Sequence, residues 1–240
     1  MDADRLLIVN ADDFGYSRGV NRGIIEAHEC GIVTSASLMV RWPGVHEAAE
    51  YARANPRLSV GLHLDLGEWV FREDEWRARY LVVEPDAEPA RFAEEVRRQL
   101  DAFRALVGRE PSHLDSHQHF HRDEPVSTAL LGVAAKLGVP VRDFTPGIRY
   151  CGDFYGQCGR GESYPELVSA AALRRTLAEL PPGITELGCH PAAEVDFESA
   201  YASERLLERA ALCDATVRKI LVAQSLRLIS FHDIPSTPRT

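Results

Sequence analysis

The sequence predicts an α/β protein whose parallel sheet is closed, or nearly closed, into a barrel with helices outside. Apolar strand-like runs alternate with helical patterns, seven such runs can be counted, and 240 residues is the length that one α/β barrel needs. An open doubly wound sheet is the alternative that this pattern leaves open. Because we find no repeat, low-complexity stretch or linker, we predict one domain over residues 1–240.

The predicted elements follow one another in a regular strand–helix order. Strand-like runs are found at 6–9, 35–40, 58–66, 113–117, 139–144, 184–189 and 226–231, and helical patterns at 17–31, 45–54, 91–107, 125–137, 165–180 and 203–224. Periodicity fades in two further stretches, 67–89 and 145–164. We predict that both are long loops and that the first is an excursion over the site.

Side-chain periodicity justifies the individual elements. Ser17 can cap the first helix, and Gly31 can end it. The run 58–66 alternates, as in a strand that presents a different chemistry on each face. The helix 91–107 is the clearest, because its apolar residues recur at helical spacing: Phe92, Val96, Leu100, Phe103 and Val107.

Composition narrows the class of protein. A hydrophobic content of 45% and a charged content of 26% are ordinary for a globular protein. The formal net charge of −9 argues against a nucleic-acid surface, since phosphate contacts need a basic face. We see neither an apolar run of roughly 20 residues nor a signal-peptide pattern. Five cysteines without a Cys-x-x-Cys spacing fit reduced thiols, so we expect a cytoplasmic protein with no membrane partner.

The first predicted strand leads into a pair of carboxylates. The apolar run Leu6 to Val9 is followed by Asn10 and then by Asp12 and Asp13. Because side chains alternate across a strand, we place both aspartates at or beyond the strand end. Two crowded carboxylates repel each other, and a bound cation would relieve that repulsion. A loop with a helix-capping Asp explains an isolated doublet as readily, so other residues must decide.

A histidine-rich run is the most unusual stretch of the chain. Residues 113–121 read His-Leu-Asp-Ser-His-Gln-His-Phe-His and hold four of the nine histidines. If strand geometry persists, Asp115, His117, His119 and His121 share one face. They cannot all bind one ion, so some of them must support the ligands or face a substrate instead.

Other predicted strand ends carry further candidates. Reactive side chains of α/β barrels come from the C-terminal ends of their strands. Here those ends include His63 and His190, besides the doublet and the histidine-rich run. One carboxylate and two imidazoles leave open positions on a divalent ion, which can polarise a carbonyl and lower the pKa of water to about 7. A second, unligated carboxylate can take the proton of that water, and the doublet supplies one carboxylate for each task.

Four motifs resemble those of a known family. They are Ile8-Val-Asn-Ala-Asp-Asp-Phe-Gly, Gly61-Leu-His-Leu, His113-Leu-Asp-Ser-His-Gln-His-Phe-His and Cys189-His-Pro. In this order, and over nearly the whole chain, they resemble the YdjC/ChbG-type carbohydrate deacetylases. The resemblance implies a distorted, TIM-like barrel of about seven strands. It also implies a hydrolase that cleaves the acetamide, a linear amide C–N bond, of an N-acetylated sugar with the help of a divalent metal ion.

The resemblance also implies roles for individual residues. Asp13, His63 and His117 match the metal ligands, and Asp12 matches the proposed general base. His190 matches a site histidine that would act as an acid or as an oxyanion partner. Zn²⁺ suits this ligand set best, and Mg²⁺ is the alternative.

The expected partner is a small N-acetylated carbohydrate, a mono- or short oligosaccharide that releases acetate and leaves a free amino sugar. The stretch 69–89 is shorter and more charged than its counterpart in the family, and such loops shape the sugar pocket. Its aromatic residues Trp69, Phe71 and Trp76 either stack on sugar rings or anchor the loop. The sequence leaves a homodimer open.

Two other functions fit the same residues. Two histidines and one carboxylate also describe the ligand triad of non-haem iron oxygenases. A free carboxylate beside the triad and the barrel-like strand count favour hydrolysis over that chemistry. A non-catalytic glycan-binding protein on the same scaffold is the second alternative. The presence of both Asp12 and Asp13 speaks against it, since a binding protein needs no general base.

Overall fold

The computed structural model describes residues 4–235 of the chain. The strands are β1 (Arg5–Phe14), β2 (Ser35–Leu38), β3 (Ser59–Leu64), β4 (Gly67–Arg72), β5 (Glu75–Leu81), β6 (Leu114–Ser116), β7 (Ile148–Cys151), β8 (Gly183–Cys189) and β9 (Leu226–Leu228). The helices are α1 (Arg18–Glu29), α2 (Val45–Ala54), α3 (Pro89–Val107), α4 (Val126–Leu137), α5 (Ala170–Glu179), α6 (Ala202–Leu212) and α7 (Ala215–Ala223).

Seven of the strands form one parallel sheet. Its order is β6-β3-β2-β1-β8-β7, and β9 pairs with the first residues of β1. Strand β1 lies in the middle because Leu7, Ile8 and Val9 are fully buried between layers of side chains. Within residues 4–235 the edge strands β6 and β7 do not pair with each other, so the curled sheet is a half-barrel and not a closed barrel. The prediction of a distorted parallel α/β barrel with outer helices is confirmed.

One predicted strand is wrong, and another was missed. The segment 139–144 makes a single parallel bridge, between Val141 and Leu114, and then turns. It turns because the N–H of Val141 donates to the hydroxyl of Thr145, and the N–H of Thr145 donates back to the carbonyl of Val141. The neighbouring strand β7 instead lies inside the stretch that was predicted to be a loop.

The predicted helices are found with small shifts at their ends. Ser17 caps α1 as expected, because its hydroxyl accepts a hydrogen bond from the N–H of Val20 at 3.2 Å. The last two predicted helices start late or split in two. Ser169 caps α5 after a short 3-10 turn. The helix predicted at 203–224 divides after Leu212, and Asp214 caps its second part, α7.

The predicted excursion after β3 contains an antiparallel hairpin. Strands β4 and β5 form a separate two-stranded sheet that turns at Glu73 and Asp74, both with positive φ. Its residues are mostly exposed or half-buried, so neither face carries a continuous apolar stripe. That is why the sequence shows no clear period here.

Within residues 4–235, no helix is both long and apolar enough to span a bilayer. The single domain of residues 1–240 stays a prediction, and residues 1–3 and 236–240 lie outside the described range. The five cysteines are all free thiols.

Candidate active site

The C-terminal ends of β1, β3 and β8 and the turn after β6 surround one cavity of about 900 Å³. The five residues that the sequence assigned to the site all line this cavity: Asp12, Asp13, His63, His117 and His190. Convergence at this end of the strands is expected for a parallel sheet, because the strands all run in the same direction.

Asp12 and Asp13 lie within β1, so the prediction that they lie at or beyond its end is wrong. The alternation of side chains is broken locally instead. Asp13 has a φ of 67°, and the pairing of β1 with β2 shifts register between Ala11 and Phe14. Asp is one of the residues that tolerates this left-handed conformation. The kink lets two adjacent carboxylates face the same cavity.

Asp13 gathers two imidazoles on one of its oxygens. Its Oδ1 accepts a hydrogen bond from Nδ1 of His117 at 3.0 Å and lies 3.4 Å from Nε2 of His63. Its other oxygen, Oδ2, accepts from Arg205 at 2.5 Å. Ligand atoms about 2.0 Å from a tetrahedral ion stand roughly 3.3 Å apart. The carboxylate and the two imidazoles therefore fit a single divalent ion.

The charges of this cluster also suit a cation. Burial alone would raise the pKa of Asp13, but Arg205 and His117 outweigh it and hold the pKa well below its usual range. Burial likewise opposes the charge on His63, yet the carboxylates of Asp115 and Asp12 raise its pKa to about 10. The pKa of His117 is raised in the same way by Asp13. Without an ion, protonated imidazoles neutralise the carboxylates, and an ion would displace those protons.

Asp115 holds the ring of His63 from behind. Nδ1 of His63 donates to Oδ1 of Asp115 at 2.8 Å, and both side chains are buried. The other oxygen of Asp115 accepts from Ser37 at 2.7 Å and lies 2.8 Å from Arg142. A carboxylate bonded to one ring nitrogen fixes the tautomer and leaves the other nitrogen to face a metal.

Arg142 is a buried hub that the sequence reasoning missed. Its two terminal nitrogens donate to Oδ2 and Oδ1 of Asp12, both at 2.7 Å, and its Nε donates to Glu186 at 2.7 Å. Burial raises the pKa of Asp12, but the guanidinium outweighs it and the net pKa is lowered. Burial also raises the pKa of Glu186, to about 7. Arg142 and Glu186 are each a charged residue within a short apolar run, 139–144 and 184–189 respectively. This contrast is the sequence signal that could have identified them.

His190 approaches Oδ2 of Asp12, an oxygen that also accepts from Arg142. Its Nε2 is 3.8 Å from Oδ2 of Asp12, and its Nδ1 is 3.8 Å from Oε1 of Glu208. Glu208 also accepts a hydrogen bond from the backbone N–H of His190. The rings of Tyr155 and Tyr201 stand edge-on to the imidazole at 5.5 and 5.7 Å. Glu208, like Arg205, gave no sequence signal because both look like ordinary charged residues of helix α6.

The histidine-rich run does not keep strand geometry, so its residues do not share one face. Strand β6 ends at Ser116, and a 3-10 turn begins at His117. Gln118 and His119 then adopt positive φ angles of 49° and 57°. Of the four histidines in the run, His117 is the one that the structure brings to Asp13 and His63.

The remaining histidines of the run have other surroundings. His113 stacks on Phe231 at 3.9 Å in the core, and burial lowers its pKa to about 3. His119 lines the cavity, and burial lowers its pKa to about 3 as well. His121 and Asp143 are 3.2 Å apart and with His119 form a second group of potential ligands. In this second group, Nε of Arg122 donates to Oδ2 of Asp143 at 2.8 Å, so the carboxylate is already paired with a cation.

Comparison with known proteins gives consistent matches. A family model described as YdjC-like protein matches residues 6–223. The carbohydrate deacetylase of Brevibacillus brevis is 33% identical over 262 aligned residues, which cover 95% of this chain and 99% of that protein. The chitooligosaccharide deacetylase of Citrobacter koseri is 31% identical over 266 residues, covering 96% of this chain and all of that protein.

A solved structure shares the fold. The crystal structure of an Enterococcus faecalis V583 protein, provisionally named for cellobiose-phosphate cleavage, superposes with a TM-score of 0.79 at 25% identity. The superposition covers 96% of this chain and 98% of that one.

Proposed function

Because the chain belongs to the YdjC-like protein family, we propose that it is a carbohydrate deacetylase. It hydrolyses the acetamide C–N bond of an N-acetylated sugar and releases acetate and a free amino sugar. The observation that carries this proposal is the pair of adjacent carboxylates. Asp13 contacts two imidazoles. The hydrogen bonds of Asp12, beside it, come from Asn10 and Arg142 and from neither imidazole, so Asp12 can move a proton.

We assign one divalent ion per chain to Asp13, His63 and His117, with Zn²⁺ as the natural choice and Mg²⁺ as the alternative. When bound, the ion supplies a Lewis acid that polarises the amide carbonyl and eases the deprotonation of water. Arg205 supports this assignment, because it binds Oδ2 of Asp13 and leaves Oδ1 to the ion.

Asp12 acts as the general base. Its Oδ1 accepts from both Asn10 and Arg142, whereas Oδ2 accepts from Arg142 alone and faces His190. Oδ2 is therefore the oxygen that takes the proton of the attacking water. The guanidinium of Arg142 keeps this carboxylate ionised at neutral pH, because it lowers the pKa of Asp12.

His190 acts as the general acid. An amine is a poor leaving group unless it is protonated, so a donor is needed as the C–N bond breaks. Glu208 accepts from the backbone N–H of His190, and the ring places Nε2 3.8 Å from Oδ2 of Asp12.

We further propose that the substrate is a short N-acetylated oligosaccharide or a monosaccharide. A cavity of about 900 Å³ is near the upper end of the range for small-molecule sites. Trp69, Phe71 and Trp76 line it, and aromatic rings suit the apolar faces of sugars. The cytoplasmic location belongs to this proposal, supported by the free cysteines. Assembly as a homodimer stays a prediction that light scattering would test.

The test is acetate release. Protein loaded with Zn²⁺ or Mg²⁺ is incubated with a panel of N-acetylated mono- and disaccharides, and acetate and free amine are measured. We expect both products in equal amounts, and a chelator should abolish them reversibly. Asp13→Asn provides the matched inactive control. If no acetylated sugar releases acetate with any divalent metal, the proposed function is wrong.

A further inference from the structure

The side chain of Gln118 pairs with the backbone of the β4–β5 hairpin. The N–H of Trp69 donates to Oε1 of Gln118 at 2.8 Å, and Nε2 of Gln118 donates to the carbonyl of Trp69 at 2.8 Å. A neighbouring strand residue would make the same two bonds in an antiparallel ladder. Gln118 therefore extends the hairpin by one amide group.

The hairpin depends on such tethers because it is not part of the main sheet. Two-stranded hairpins are marginally stable on their own. At its base, the hydroxyl of Tyr80 donates to Asp65 at 2.9 Å. Further out, Arg72 and Glu198 pair at 2.9 Å, but both are exposed, and such pairs contribute little. The two bonds of Gln118 lie between these points, where the hairpin register shifts after Glu68.

The backbone of Gln118 is strained, and the strain has a geometric result. Gln118 and His119 are consecutive non-glycine residues with left-handed φ, a conformation that residues with a side chain seldom adopt. The chain reverses here so that His117 meets Asp13 while the next residue meets Trp69. A candidate metal ligand and the hairpin tether are thus neighbours in the chain.

The hairpin forms an aromatic wall of the cavity. Trp69, Phe71 and Trp76 line the cavity that also contains Asp12. Phe71 and Trp76 meet edge to face, with ring centres 5.5 Å apart, and Trp76 is 53% exposed. A large aromatic side chain exposed at a cavity rim is suited to contact a ligand.

We propose that Gln118 is a specificity-determining positioning residue. It fixes the distance between this aromatic wall and His117, and the wall binds a second sugar ring next to the acetylated one. The inference rests on the proposed deacetylase function for its substrate. Gln118 acts through Trp69 and touches none of the reacting groups, so its loss affects the binding of longer substrates and spares the chemical step.

The experiment compares Gln118→Ala and Gln118→Glu with Arg72→Ala, a control that removes the exposed ion pair of the same hairpin. KM and kcat are measured for N-acetylglucosamine and for its β-1,4-linked dimer, and bound metal is measured in each variant. In Gln118→Ala we expect about a tenfold rise of KM for the dimer, as for the loss of a net hydrogen bond or two. KM for the monomer, kcat and metal content should stay within twofold. Gln118→Glu keeps the acceptor for the N–H of Trp69 but turns a carboxylate oxygen towards the carbonyl of Trp69, so KM for the dimer should rise at least as much as in Gln118→Ala.

Hydrogen exchange of the hairpin amides, residues 67–81, separates this inference from the proposed function. Exchange should quicken in Gln118→Ala and stay unchanged in Arg72→Ala. An equal rise of KM for both sugars, a loss of metal, or unchanged hairpin exchange in Gln118→Ala would each overturn the positioning role. If the wild-type protein releases no acetate, the proposed function and the substrate assignment fail together. The exchange measurement then still decides whether Gln118 holds the wall.

Discussion

Nδ1 of His63 lies 2.8 Å from Oδ1 of Asp115, and this contact turns Nε2 of the same ring towards Asp13. The arrangement extends further, because Arg142 contacts the second oxygen of Asp115 and both oxygens of Asp12. One buried guanidinium therefore sets the position of the proposed base and of the carboxylate that orients a proposed ligand.

Asp115→Asn should weaken metal binding by about 10–100-fold, because the ring of His63 loses the charged acceptor that fixes its tautomer. The dissociation constant for Zn²⁺ would be measured by competition with a chromogenic chelator. Ser37→Ala is the control, since Ser37 donates to the oxygen of Asp115 that His63 does not use. Equal affinities in Asp115→Asn and wild type would show that the contact does not orient the ligand.

The two adjacent carboxylates should behave differently. Asp12→Asn should lower kcat by about 10²–10⁴-fold and retain the metal, because it removes the proton acceptor and leaves the ligand set intact. Asp13→Asn should lose both metal and activity. Metal analysis together with steady-state kinetics on the same preparations checks this. Equal metal loss in both variants would mean that the aspartates are joint ligands and that the base lies elsewhere.

The choice of imidazole can be tested in the histidine-rich run. His117→Ala should lose the metal, because Nδ1 of His117 meets Oδ1 of Asp13. His119→Ala, which removes a cavity-lining ring two residues away, should keep it. Metal content by atomic absorption decides between them. The reverse pattern would show that the wrong histidine had been assigned.

Arg142→Lys should shift the acid limb of the rate profile to higher pH. Arg142 lowers the pKa of Asp12 against the effect of burial, and a lysine cannot reproduce its paired hydrogen bonds. The base would then lose its charge at a higher pH than in the wild type. The profile of kcat/KM against pH measures this, with circular dichroism as a folding control. An unmoved acid limb in a folded variant would exclude Asp12 as the titrating base.

Metal affinity should rise with pH. In the metal-free protein Asp115 and Asp12 raise the pKa of His63 to about 10, so its ring is protonated at neutral pH and an ion must displace that proton. Each displaced proton makes affinity increase by up to about tenfold per pH unit. Calorimetry between pH 6.5 and 9 would measure the slope and the protons released. A flat profile would mean that neither His63 nor His117 ligates the metal.

The stability of the chelated protein should change in the opposite sense. A histidine whose pKa is raised on folding stabilises the native state fully below its unfolded value of 6.5, and this contribution is lost as pH rises towards about 10. The Tm of the chelated protein should therefore decrease over this range. The increase in Tm that Zn²⁺ produces should become larger as the pH rises over the same range.

The sequence was most informative where residues report their own chemistry. The five proposed site residues sit at predicted strand ends, and all of them line one cavity. Periodicity also identified the parallel sheet, the cap of α1 at Ser17 and the bounds of α2. The strand pattern, the helix cap and the helix bounds are local features, so a pattern of a few residues is enough to specify them.

The sequence was least informative where a residue takes its role from distant contacts. Arg142 and Glu208 gain importance from residues 130 and 18 positions away in the chain. The kink at Asp13 and the reversal at Gln118 depend on tertiary contacts that outweigh local preference. The strand expected at 139–144 fails for a related reason, because the hydroxyl of Thr145 satisfies the N–H of Val141 before a neighbouring strand can.

The central place of β1 has a consequence for how the chain is made. Its partners β8 and β9 begin at Gly183 and Leu226, so β1 leaves the ribosome long before two of its neighbours exist. Until then an apolar strand has one side without hydrogen-bond partners, which is the type of segment that misfolded chains and aggregates recruit. Contacts of this sequence separation also slow folding. The doublet of aspartates cannot acquire Arg205 as a partner before most of the chain has been translated.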